Sequence, residues 1–202
     1  MEGQTSADVR ILNWKISNIK CHFRIDRDLI DKRCVCSNRK GKTFDQNFCI
    51  VNDLAGAERA TYIIYKKYVN VTGVDSLDSI AKAKTIFYHH FNTLLYRGIK
   101  PIVILPVVLD NILITGKFNL PFISLNSFFR FAQSQNVYVE YNNLLFPSLY
   151  LKDYKSVCTV CLFGSGKFNV LGLKCTETLD FILPELTSKP TILFLLSRLI
   201  IR

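Results

Sequence analysis

The chain has 202 residues, 49% hydrophobic and 12% aromatic, enough apolar material for a real core and too much for a disordered chain. Lys and Arg outnumber Asp and Glu by 26 to 16, a formal net charge of +10 that favours an acidic partner, of which nucleic acid is the commonest. The sequence lacks a run of about 18 apolar residues, and Met1-Glu2-Gly3-Gln4-Thr5 lacks the basic-then-apolar pattern of a secretory leader; an intracellular protein with no membrane partner is expected. The positive excess is uneven: residues 1–100 hold 17 basic and 10 acidic side chains, and residues 101–202 hold 9 and 6. No long run of like charge occurs, so the charge belongs to a patterned surface and not to a basic tail.

In chain order, Asn13 to Ile19 alternates as a strand and Asp26 to Lys32 reads as a short helix. Phe48 to Asn52, Thr61 to Tyr65 and Tyr68 to Val71 read as strands. Asp75 to Leu95 is a long helix with Asp75 or Ser76 at its start; Ile80, Ala83, Phe87 and Phe91 keep helical spacing. The order then begins again. Asn111 to Phe118 is a strand, and Ser124 to Gln133 is a helix capped by Ser124 or Asn126. Phe146 to Lys152, Val157 to Phe163 and Lys167 to Val170 are strands, followed by a helix from near Thr176 that Pro184 interrupts. Thr191 to Arg202 is an apolar segment with two arginines, too short to span a membrane, for which packing or partner binding is expected.

This recurrence is an internal repeat. Asn13 and Asn111, Phe48 and Phe146, and Tyr65 and Phe163 are each 98 positions apart. Val69-Asn70-Val71-Thr72-Gly73 and Phe168-Asn169-Val170-Leu171-Gly172 are 99 apart, the extra residue falling in a turn. The sequence therefore predicts an α+β chain of two copies, residues 1–100 and residues 101–202. In the last strands Phe163, Ser165, Lys167, Asn169 and Leu171 fall on one side, Leu162, Phe168 and Val170 on the other. The aliphatic side must pack on the amphipathic helices. The polar and aromatic side is left open, and suits a nucleic-acid platform.

Chemistry of other kinds finds little support. The seven cysteines are irregularly spaced; Cys158 and Cys161 lie in a strand-like run with no matching second pair, so no metal is expected and reduced, packing thiols fit better. Gly164-Ser165-Gly166-Lys167 lacks the rest of a phosphate-binding loop, since Phe168 follows the lysine. No nucleophile–histidine or paired-carboxylate arrangement is recognisable, and neither an enzyme nor a cofactor is expected.

Leu145-Phe146-Pro147-Ser148-Leu149-Tyr150-Leu151-Lys152 and Leu162-Phe163-Gly164-Ser165-Gly166-Lys167 resemble two signature segments of the TATA-box-binding protein family, and the similarity covers about residues 10–186. The resemblance implies a saddle of two pseudo-symmetric repeats, a curved antiparallel sheet with helices on its convex face, bound to the minor groove of A·T-rich duplex DNA. It implies two pairs of aromatic wedges, Phe48 with Tyr65 and Phe146 with Phe163. Asn13 and Asn111 take the places of paired central asparagines, with Lys15 beside the first. Ser165, Lys167, Lys152 and Arg59 would bind phosphate; Ile63, Asn70, Thr72, Leu113, Asn169 and Leu171 complete the contact surface. The implied role is promoter binding and bending in the nucleus, nucleating transcription preinitiation assembly with initiation factors and RNA polymerase machinery. Tyr65, Lys15, Asn169, Leu171, Leu54 and Asn47 depart from the family's residues, as do Asn142 and Leu144 where it has acidic ones. A divergent saddle that binds non-TATA DNA, or a protein-interaction scaffold that regulates transcription, is the alternative.

Overall fold

The computed structural model describes residues 9–26, 49–52, 59–95, 102–120, 122–152, 158–178 and 182. It divides into two compact units, Ser17–Asn111 and Met1–Ile16 with Ile112–Arg202. The unit boundaries therefore fall inside two long strands and not between residues 100 and 101.

The first unit contains strands β1 (Ile11–Ile25, shared with the second unit), β2 (Cys49–Asn52), β3 (Thr61–Ile64) and β4 (Tyr68–Val74), then helix α1 (Leu77–Leu95). The strands run in the order β2-β3-β4-β1, antiparallel throughout. Alternation decides what is buried: Ile19, Cys21, Phe23 and Ile25 on β1, Tyr62 and Ile64 on β3, and Val69 and Val71 on β4 are all covered. Helix α1 contributes Ile80, Ala83, Phe87 and Phe91, one stripe at helical spacing. Phe87 is the centre of that core, 4.2 Å from Phe91, 5.2 Å from Phe23 and 5.9 Å from Tyr62 between ring centroids. The Tyr62 hydroxyl donates to the Ala83 carbonyl at 3.1 Å, and burial holds the phenol well above its ordinary range. Ser76, one of the two expected caps, accepts the Ser79 N–H at 3.1 Å and starts the helix.

The second unit contains β5 (Ile104–Phe118, whose first residues belong to the first unit), α2 (Leu125–Ser134), β6 (Val139–Glu140), β7 (Ser148–Lys152), β8 (Thr159–Phe163) and β9 (Lys167–Leu173). Its strands run β5-β9-β8-β7-β6, again antiparallel. Leu125, Phe128 and Ala132 of α2 are buried, as are Leu149, Leu151, Val160, Leu162, Phe168 and Val170 of the sheet. Of the two candidate caps it is Ser124 whose hydroxyl faces the Ser127 N–H.

Both units carry the same irregularity. Ile19 pairs with Val74 but Cys21 with Val71; Ile112 pairs with Leu173 but Ile114 with Val170. The extra residue is accommodated at Gly73 (φ +88°) and Gly172 (φ +93°), a backbone region that L side chains avoid.

These registers correct the repeat. In β3 and β4 the offsets of 98 and 99 hold, since Thr61↔Thr72 answers Thr159↔Leu171. In the first strands they do not: Cys21↔Val71 answers Ile114↔Val170, so Ile19 corresponds to Ile112 and Asn18, not Asn13, corresponds to Asn111. The second copy is longer between its first strand and its hairpin, and a single offset hides that difference. The strand ends also differ from expectation, β1 and β5 being 15 residues each. The helix expected over Asp26–Lys32 lies, but for Asp26, outside the described residues, as do most of the helix expected after Thr176 and the whole of Thr191–Arg202.

Candidate nucleic-acid interface

Among the described residues each unit leaves one sheet face without a helix, and pairing register assigns side chains to it. In the second unit Phe163 stands opposite Ser148, Cys161 opposite Tyr150 and Asn169, and Thr159 opposite Lys152 and Leu171. Thr115 is opposite Asn169 and Lys117 opposite Lys167. Directly opposed residues share a face, so Phe163, Lys167, Asn169, Leu171 and Lys152 lie together on the open side. Phe163, Asn169 and Leu171 are half-buried and Lys167 and Lys152 exposed, whereas Ser148 and Cys161 are covered.

Phe146 precedes β7 on the same strand parity as Ser148 and Tyr150. Its ring is 45% exposed and lies 5.7 Å from that of Tyr150. The Asn142 carbonyl holds the turn before it, accepting from the N–H groups of Leu145 at 3.1 Å and Phe146 at 3.0 Å. Leu144 and Leu145 at the tip are 90% and 81% exposed. Phe163 opens a second turn, where its carbonyl accepts the Gly166 N–H at 3.0 Å and Gly166 takes φ +76°. An added Cβ there would come within 2.7 Å of the Leu120 carbonyl oxygen, so the turn that presents exposed Ser165 requires glycine.

In the first unit the equivalent face holds Thr61, Ile63, Asn70 and Thr72, with Ile63 opposite Asn70 and Thr61 opposite Thr72. Tyr65 follows β3 and stacks on Tyr68, centroids 4.3 Å apart and planes 15° from parallel. Asn18 accepts the Gly73 N–H at 2.7 Å and the Thr72 hydroxyl at 3.3 Å through one side-chain oxygen. Asn111 is half-buried. Arg59 is exposed at the turn before β3, with φ +65°. Phe48, Asn47 and Leu54 lie outside the described residues.

The structure brings four sequence-predicted residues, Asn13, Lys15, Lys167 and Asn169, to one hollow of about 680 Å³, which Trp14, Thr115 and Lys117 also line. Asn13 thus reaches this surface, although it is not the repeat partner of Asn111; with Asn18 the partner of Asn111, the residue two along is Lys20, not Lys15. Lys152 is engaged as well: its ammonium meets both Glu140 carboxylate oxygens at 2.9 Å, and the Tyr138 hydroxyl donates to the same carboxylate at 2.8 Å. Those hydrogen bonds hold Glu140 below the ordinary carboxylate range. Sequence reading missed Asn18, Lys117 and the Glu140 clamp because each depends on which strands pair. Among the described residues no group of His, Cys, Asp and Glu is placed to hold a metal ion, and no helix is long and apolar enough to cross a membrane.

Antiparallel sheets covered by helices on one side, and polar and aromatic on the other, define a duplicated α+β sheet platform. Residues 106–187 match the family model described as transcription factor TFIID (or TATA-binding protein, TBP). Among solved structures, the TBP of Methanococcus jannaschii is similar over 93% of this chain and 99% of its own, at 21% identity and a TM-score of 0.66. An aspartate kinase of Clostridium acetobutylicum overlaps 93% of this chain and 35% of its own at 10% identity, but a TM-score of 0.27 gives that overlap no weight. No curated protein matches the sequence. The sequence of the second repeat is thus similar to that family, and the chain shares the α+β fold of the archaeal protein over nearly all its length. The matching model's description is that of a transcription factor.

Proposed function

We propose that this protein binds duplex DNA in the minor groove and bends it, nucleating assembly of transcription initiation factors and RNA polymerase at promoters, in the nucleus. The observation that supports it best is the placement of Phe146 and Phe163 on the helix-free face, partly exposed and flanked by Asn169, Ser165 and Lys167. The mechanism is carried over from the family. Flat apolar rings enter between base steps and replace the stacking they break, while uncharged groups meet the acceptors of A·T pairs, where a guanine amino group would clash. Asn18 and Asn111 are the matched asparagines in this reading. Asn169 and Thr72 lie on the surface, with Leu113, Leu171 and Ile63 as apolar floor. Lys167, Ser165 and Arg59 take phosphates, which fix position without reading sequence. Tyr65 enters less readily than phenylalanine, because its ring is stacked on Tyr68 and its hydroxyl must be desolvated.

A bend assay by fluorescence energy transfer on end-labelled A·T-rich duplex tests this. Phe146→Ala and Phe163→Ala are expected to reduce bending; bending unchanged in both would sink the proposal. The scaffold reading draws on one observation, the exposed Leu144–Leu145 tip. Saturable anisotropy with A·T-rich duplex favours the DNA reading, and its absence favours the scaffold.

A further inference from the structure

We infer that Lys15, Lys117 and Lys167 form a seat for a phosphate group in the second unit, beyond the contact that Lys167 alone would make. Lys117 and Lys167 are direct partners across the β5–β9 ladder. Like charges directly opposed in an antiparallel pair repel, at a cost to the fold. Lys15 lines the same hollow, bringing a third ammonium to it, and Asn13, Thr115 and Asn169 add neutral donors. Among the described residues no carboxylate pairs with any of the three lysines, in contrast to Lys152, which Glu140 neutralises. The first unit does not repeat the arrangement: the pair equivalent to Lys117 and Lys167 is Arg24 and Tyr68, with one cation.

Three ammoniums with no carboxylate partner among the described residues surround a hollow of about 680 Å³ bordered by half-exposed Trp14, and such a site attracts an anion. A phosphate group suits the chemistry. Its oxygens accept from several ammoniums at once, and charge-assisted bonds of that kind are the strong ones. Under the DNA-binding reading the group is a backbone phosphodiester, and the seat makes the second unit the more firmly anchored one; a free phosphate is the other source.

Two measurements on the full chain separate these. In the first, thermal unfolding is followed in sodium chloride and in sodium phosphate of equal ionic strength. Wild type is expected to gain a higher midpoint in phosphate. Lys117→Gln is expected to lose that gain, while unfolding in chloride no earlier than wild type, because the repulsion is relieved. In the second, affinity for A·T-rich duplex is measured against salt. Lys117→Gln should lower the slope by about 1, so that raising salt from about 50 to about 200 mM costs the variant roughly 4-fold less affinity than wild type. A change in the DNA slope assigns a phosphodiester; loss of the phosphate response alone assigns a free anion. If Lys117→Gln matches wild type in both arms the seat is overturned. Failure of wild type to bind any duplex overturns the DNA reading instead, and the phosphate arm still decides the seat.

Discussion

Gly73→Ala probes the feature that both units share, and its cost can be worked from geometry. Gly73 has φ +88°, where an L side chain costs about 1–2 kcal/mol. An added Cβ would fall 2.1 Å from the Arg59 carbonyl oxygen and 3.3 Å from its carbon, both backbone atoms that no rotamer change can clear. The chain before β3 must therefore shift. The Gly73 N–H bond to Asn18, at 2.7 Å, would weaken with it, a loss of about 1 kcal/mol. Together these come to roughly 2–4 kcal/mol, a large share of an ordinary domain's stability. Urea unfolding followed by far-ultraviolet circular dichroism reads this directly, and Asn18→Ala should reproduce only the hydrogen-bond part. A Gly73→Ala midpoint indistinguishable from wild type would refute the claim that the bulge is confined to glycine.

Other expectations follow from the ion pair and the thiols. Glu140→Gln should free Lys152 and steepen the salt dependence of duplex binding, read by anisotropy across a salt series. In the parent protein the Glu140 carboxyl, held low by Lys152 and Tyr138, contributes stability at neutral pH that is lost as pH falls through its depressed value. Carboxyl titration by nuclear magnetic resonance should find it below ordinary glutamate, and a normal value would dissolve the clamp. Burial, aided by Asp110, pushes the Cys21 thiol up to about 11, whereas Cys175 is exposed. At pH 8 an alkylating reagent should therefore label Cys175 well before Cys21 in the folded chain, and equal rates would contradict the packing of β1.

Much of the fold was legible because its strands alternate cleanly where one side is covered. Val69 and Val71 against Asn70 and Thr72, and Phe168 and Val170 against Asn169 and Leu171, carry their own sidedness. The turn between β8 and β9 was legible through Gly164 and Gly166, whereas Tyr65-Lys66-Lys67 between β3 and β4 offers no glycine. What stayed hidden depends on partners distant in sequence. Residues at the start of β1, from Leu12 to Lys15, are exposed on both parities, so nothing in their pattern told Asn13 from Asn18 as the match to Asn111. Pro106 inside β5 argues locally against a strand, and tertiary pairing overrides it. β6 is two residues long, too short for any period, yet it brings Glu140 beside Tyr150 and so within reach of Lys152. Phe146 and Phe163 were placed by the match of segments, since phenylalanine in a strand is ordinarily core.

The division of β1 at Ile16 and of β5 at Asn111 bears on how such a duplicated molecule can arise. Each body borrows its finishing piece from the other copy's leading strand. A solitary ancestral copy would thus be left unfinished, and only a twin offering the same piece in exchange could complete it. Joining the twins end to end makes that exchange permanent, and leaves each free to accumulate its own surface while the partnership is guaranteed by the peptide chain.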